Sequence, residues 1–178
     1  MRGRTGFGLA SMLSAAMLLA GASELSAQQT TRYKGFWIGF GFGGGWSGTA
    51  APGDDALGGG AFYLRMGGTV SPHFLFGGEI QSWFRDGDGG NFSRVNTNAT
   101  ALVYPSTDLG LFLKGGFGVA SYQDRGRHRT GVGTTFGAGY DVRLGNNLYL
   151  TPNADLMLHF LNDFTESTFV VSLGLTWH

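Results

Sequence analysis

The chain has 178 residues, no cysteine, 12 Lys or Arg against 12 Asp or Glu, and only 13% charged residues beside 33 glycines. The balanced charge gives a nucleic-acid backbone nothing to pair with. The missing cysteines exclude a disulfide framework and a thiol-linked lipid anchor. So few charges fit poorly with an ordinary soluble surface, where about a quarter of residues are charged.

In chain order, Arg2 and Arg4 give a positive start, residues 6–22 are apolar and small, and Ala27 precedes the polar Gln28. This pattern predicts a cleaved secretory signal peptide over residues 1–27, with a second small-residue exit ending at Ala22. Residues 28–178 then form one domain. Beyond the leader no apolar run reaches the roughly 18 residues of a transmembrane helix.

Eight segments follow in which large apolar residues recur at every second position, the period of a strand. The first, 35–45, sets Phe36, Ile38, Phe40 and Phe42 between glycines. The second, 60–70, puts Phe62, Leu64 and Met66 opposite Tyr63 and Arg65. After a Ser71-Pro72-His73 turn, the third (74–84) carries Phe74, Phe76, Ile80 and Phe84 opposite Glu79 and Gln81. The fourth (93–104) and fifth (111–122) set Val95, Ala99, Leu113, Phe117 and Val119 against Arg94, Asn96, Asn98 and Lys114. The sixth, 130–144, places Phe136, Tyr140, Val142 and Leu144 opposite Asp141 and Arg143. The seventh (148–160) and eighth (167–178) set Leu150, Leu156, Leu158, Phe169 and Leu173 against Asn153, Asp155, His159 and Ser172. Longer polar connections at 46–59, 85–92, 123–129 and 161–166 alternate with mostly tight ones.

All charges within these segments fall on one face: Arg65, Glu79, Arg94, Lys114, Asp141, Arg143 and Asp155. In a soluble barrel the apolar face would line the cavity. In a membrane barrel it meets lipid, and the charges turn inward. The glycines favour the second orientation. Eight strands enclose a space only wide enough for side chains, so inward Gly39, Gly41, Gly67, Gly116, Gly118, Gly137 and Gly139 make room for Arg65, Lys114, Glu79 and the tyrosines. The register set by the Ser71–His73 turn pairs 70 with 74 and 65 with 79, which places Arg65 beside Glu79 as an expected ion pair.

The leader, the eight alternating segments, GFWIGFGFGGGW at 35–46, LFLKGGFGVASY at 111–122 and FVVSLGLTW at 169–177 together resemble the small outer-membrane β-barrel family, which includes the OmpA transmembrane domain and OmpX. The resemblance covers essentially the whole chain after the leader. It implies an all-β, eight-stranded antiparallel up-and-down transmembrane β-barrel in the cell outer membrane, monomeric, in contact with outer-membrane lipid and lipopolysaccharide. It also implies delivery by the barrel-insertion machinery, which reads a C-terminal signal. Phe169, Val171, Leu173, Leu175 and Trp177 keep that signal's spacing. The family usually ends on an aromatic, whereas here Trp177 is followed by His178.

Candidate chemistry is sparse. RDGDGGNF at 85–92 resembles a calcium loop but lacks the later bidentate carboxylate, so no metal or cofactor is expected. DRGRHR places Arg125, Arg127 and Arg129 on the third long connection, where lipopolysaccharide phosphates are the matching partner. His159 is the best-placed base for lipid A chemistry, with Ser121 or Ser167 near its level, but a paired His-x-Ser motif is missing. The inward charges (Arg65, Glu79, Lys114, Asp141, Arg143, Asp155, with Arg94) can pair across a narrow lumen and plug it. The reading is a non-enzymatic barrel serving envelope integrity or surface interaction. A small pore and a lipid A-modifying enzyme are the alternatives.

Overall fold

The computed structural model describes residues 33–49, 57–87, 90–124, 126–161 and 164–178, and the leader read at residues 1–27 lies outside them. Among the described residues nine strands run in chain order: β1 (Phe36–Thr49), β2 (Leu57–Ser71), β3 (Phe74–Gly87), β4 (Gly90–Val103), β5 (Leu111–Asp124), β6 (Arg127–Tyr140), β7 (Val142–Arg143), β8 (Leu148–Phe160) and β9 (Thr165–Trp177). Consecutive strands pair antiparallel except β6 and β7, which follow one another and together pair with β8, and β1 closes onto β9. Because β6 and β7 form one stave broken at Asp141, the result is a closed up-and-down barrel of eight staves.

Alternation decides the wall. Phe36, Phe40, Phe42, Phe76, Ile80, Leu113, Phe117, Val119, Phe136, Phe169, Leu173 and Trp177 all lie exposed on the outside. Their alternates, from Trp37 and Tyr63 to Met157 and Thr176, are buried in the lumen. A closed ladder leaves no sheet edge, and this is what allows the backbone to sit in hydrocarbon with a continuous apolar surface facing out. Phe42 against Phe62 and Trp46 stacked on Phe169 add aromatic contacts to that surface.

Inward glycines sit where a bulky neighbour needs the space. A Cβ on Gly39 would lie 3.2 Å from the Arg65 Nε, and one on Gly59 would lie 2.6 Å from the Trp83 ring. Gly41 and Gly174 flank the Tyr63 ring, Gly139 faces Phe112, and Gly137 faces the Asp155 carboxylate too closely for any side chain.

Two readings of the sequence need correction. Backbone pairing outruns the apolar alternation, so the residues read as long connections at 85–92 and 123–129 are mostly strand: Asp86 pairs Asn91, and Asp124 pairs Arg127. Ladder hydrogen bonds do not require apolar side chains once the wall leaves the lipid. The connection after the fourth segment runs from Tyr104 to Gly110, one residue more than the segment bounds left open. The turn after β2 also differs in detail. Ser71 rather than Val70 pairs with Phe74, through an irregularity after Thr69, while Arg65 does pair with Glu79.

An arginine at Phe117, 64% exposed in the middle of the apolar belt, is expected to cost about 2–4 kcal/mol. Arginine at Ser106, in an end connection, should cost little. Urea unfolding in lipid vesicles compares the two, and equal small effects would contradict a lipid-facing wall.

Candidate functional site

Within the barrel, strand parity brings side chains from every stave into one column of three levels. The level nearest the Tyr104–Gly110 connection is an aromatic floor of Tyr33, Trp37, Leu75, Leu102, Tyr104 and Phe112. Tyr33 and Tyr104 lie 4.2 Å apart between ring centroids. Asp141 is fully buried in this floor, where it accepts hydrogen bonds from Tyr104 Oη at 2.8 Å and Thr151 Oγ1 at 2.7 Å. His178 is buried beside it, its Nε2 3.8 Å from the carboxylate and its ring against Tyr33 and Tyr149. The terminal histidine therefore points inward by parity, and Trp177 keeps the lipid-facing position.

The middle level is a tie across the lumen. Lys114 on β5 places its Nζ 2.9 Å from both Glu79 oxygens on β3 and 2.9 Å from Asp155 Oδ1 on β8. Gln81 Nε2 donates to the other Asp155 oxygen at 2.9 Å. All three charged side chains are at most 1% exposed. At such burial the cost of removing charges from water is several kcal/mol each, so the cation and two carboxylates hold only as a paired and hydrogen-bonded group.

At the outer level Arg94 donates from Nε to Glu166 Oε1 at 2.8 Å and from Nη1 to Gln123 O at 2.8 Å. Its guanidinium lies 3.5 Å from the centroid of the Tyr122 ring. Ser47 donates to the same Glu166 oxygen at 2.6 Å and contacts Thr168 at 2.9 Å. Above them Phe164 packs on Tyr122, and Arg129 lies over Phe164.

The structure brings Glu79, Lys114 and Asp155 together and places Arg65 and Asp141 in the same lumen. Arg65 pairs in register with Glu79, but its charge is directed elsewhere. The guanidinium lies 5.0 Å from the centroids of both Tyr63 and Phe112 and donates to Thr176 Oγ1 at 3.4 Å. The ion pair expected between Arg65 and Glu79 is therefore replaced by the one with Lys114, whose long stem reaches across the barrel. Arg143 also departs from its expected place. It lies beyond the aromatic floor, exposed, and its guanidinium donates to Gly145 O at 2.9 Å and Asn146 O at 3.2 Å. There its charge stays in water and caps a turn. Glu166, read as part of a connection, supplies the missing lumen charge; the shared parity of Glu166, Thr168 and Val170 is the signal that locates it.

Arg127 is exposed and Arg129 half-buried at the outer end of β6, within strand rather than in a free loop, and Arg125 lies outside the described residues. His159 is buried in the lumen, whereas Ser121 and Ser167 face outward, so the wall separates the base from both hydroxyls. Phe169, Val171, Leu173 and Trp177 are exposed along β9, with Leu175 half-buried between them. Among the described residues no group of three or more His, Cys, Asp or Glu side chains could hold a metal.

In sequence, neither the family models nor the curated proteins give a match. In structure, the chain is similar to Neisserial surface protein A, with a TM-score of 0.59 at 14% identity over 80% of this chain and 96% of that one. It is similar also to Ail, the attachment invasion locus protein of Yersinia pestis, with a TM-score of 0.55 at 16% identity over 81% and 99%. The N-terminal β-barrel domain of Pseudomonas aeruginosa OprF gives 0.54 at 12% identity over 82% and 98%. At these identities the likeness is one of fold, and the chain has the fold of the small eight-stranded outer-membrane β-barrels.

Lys114→Ala is expected to destabilise by about 3–5 kcal/mol, because it leaves two buried carboxylates without their cation, and Glu79→Ala by less, because Asp155 still pairs with Lys114. Double-mutant cycles in urea should give a larger coupling for Lys114 with Glu79 than for Arg65 with Glu79. A coupling carried by Arg65 instead would overturn the arrangement described.

Proposed function

We propose that the chain is an integral outer-membrane protein that neither conducts nor catalyses, and that it acts through the rim it holds at the cell exterior, in envelope integrity or surface interaction. The observation that carries this reading is the Lys114 tie. A cation joined at 2.9 Å to carboxylates from two other staves spans the lumen at its middle, between the aromatic floor and the Arg94–Glu166 pair. Eight staves leave no room around such a plug for a water-filled path.

Catalysis has little to build on, since a nucleophile needs a base within hydrogen-bond reach and His159 is walled off from Ser121 and Ser167. The rim offers positive charge instead. Arg127 and Arg129, with Arg125 next to them in sequence, suit the phosphates of lipopolysaccharide, which accept charge-assisted bonds from guanidinium groups. Phe169, Val171, Leu173, Leu175 and Trp177 form the outward face that the insertion machinery would read, and the barrel works as a monomer.

Planar-bilayer recording is expected to show no steady conductance, and a steady large conductance would overturn the plugged lumen. Lipid A from an outer membrane carrying the protein should give the same mass spectrum with the wild type and with His159→Ala. A change in acylation that depends on His159 would establish an enzyme. Replacing Arg127 and Arg129 by Glu should weaken binding to lipopolysaccharide vesicles while leaving binding to phosphatidylcholine vesicles unchanged.

A further inference from the structure

The barrel wall is not equally strong all round. From Val132↔Phe160 the ladder between β6 and β8 runs only to Gly139↔Asn153, then stops, and resumes between β7 and β8 at Val142↔Leu150. The register is the same on both sides of the gap, so this is no bulge or slip. The missing couples are Tyr140 with Pro152 and Asp141 with Thr151. Among the described residues, every other seam is continuous apart from the irregularity after Thr69.

Three features combine at the gap. Pro152 has no N–H to give to a ladder. The Asp141 N–H donates to Gly110 O at 2.8 Å, in the alternation that points every second backbone group of this stave toward β5, so the backbone bond lost to the seam is the one Pro152 cannot give. What crosses the seam there is a side-chain bond, Thr151 Oγ1 to Asp141 Oδ1 at 2.7 Å. The couples that follow are small on the β6 side: Gly139 opposite Asn153, Ala138 opposite Ala154 and Gly137 opposite Asp155. Few side chains interlock across the line.

We infer that the seam between β6 and β8 is a hinge line, at which the wall parts ahead of the rest of the barrel and opens the aromatic floor toward the bilayer. Strand closure in lipid depends on backbone pairing, and this is the stave junction where a ladder donor is missing at Pro152 and the Thr151–Asp141 side-chain bond crosses the gap. Local opening follows the distribution of such bonds.

The chain has no cysteine, so a paired-cysteine staple can be introduced without competing thiols. Ala138 and Ala154 lie directly opposite across the seam, at a spacing that suits a disulfide. Hydrogen exchange by NMR in lipid nanodiscs should show the amides of Ala138, Tyr140, Val142, Leu150 and Ala154 exchanging at least about tenfold faster than those of Phe40, Phe42, Leu173 and Leu175 in the β1–β9 seam. Ala138→Cys with Ala154→Cys, oxidised, and separately Pro152→Val, which restores a donor, should each slow that exchange toward the β1–β9 level. Heat-modifiable migration in gel electrophoresis establishes that both variants fold. Exchange no faster at this seam than at β1–β9 in the wild type overturns the inference, as does an unchanged rate in both folded variants.

Discussion

The constraint on which this structure rests is the volume enclosed by eight staves. A wall that narrow in hydrocarbon must be filled from within, because its outer face is given over to lipid and its backbone is spent on closure. Filling it with large groups is possible only where the facing position is empty. Tyr63 passes between Gly41 and Gly174, Phe112 packs against Gly139, Trp83 reaches over Gly59 to donate to Gly45 O at 3.1 Å, and Asp155 takes the space beside Gly137. The run GFGFGGG in β1 thus makes room for Arg65 and Tyr63 on β2, as the glycines of β6 make room for Phe112 on β5 and Asp155 on β8.

The same constraint governs the charges. Arg65, Arg94 and Lys114 face Glu79, Asp141, Asp155 and Glu166 in a space with little water to solvate them, so each must find a partner among side chains. The partners are chosen by reach. Lys114 and Arg94 have stems long enough to bridge staves that share no ladder, and both do so. Arg65 instead settles between two aromatic rings, which take a cation on their faces. Because these contacts join non-adjacent staves, they brace the cylinder as well as fill it. A braced and filled lumen leaves the outer rim as the surface on which the barrel can differ from others of its fold.

Much of this was legible in the sequence, and the failures have a common cause. The limits of β8 at Leu148 and Phe160 and the coupling of Arg65 opposite Glu79 follow from period-two alternation and a short turn, both local properties. What alternation cannot report is which side chains meet across the lumen. Glu79 pairs with a lysine two staves away rather than with its ladder neighbour. Arg143 has inward parity yet lies past the floor, since parity says which face and not how far along the axis. The outer strand ends were read short at Arg85 and Gln123 because there the outward residues turn polar while the ladder continues.

The tie and the thin seam are connected through Asp155. It sits on β8 opposite Gly137, two couples from the last paired residues before the gap, Gly139 and Asn153. There the ladder to β6 is short, and Gly137 offers no side chain. Lys114 holds that same carboxylate from β5, and Gln81 holds it from β3. Lateral pairing that β8 lacks toward β6 is therefore supplemented from inside, by bonds running across the lumen. The wall and its filling are not independent: where backbone closure is interrupted, the polar column anchors the stave. In the proposed reading the barrel is sealed against ions along its axis, and the inferred hinge line is the place along its side where opening costs least.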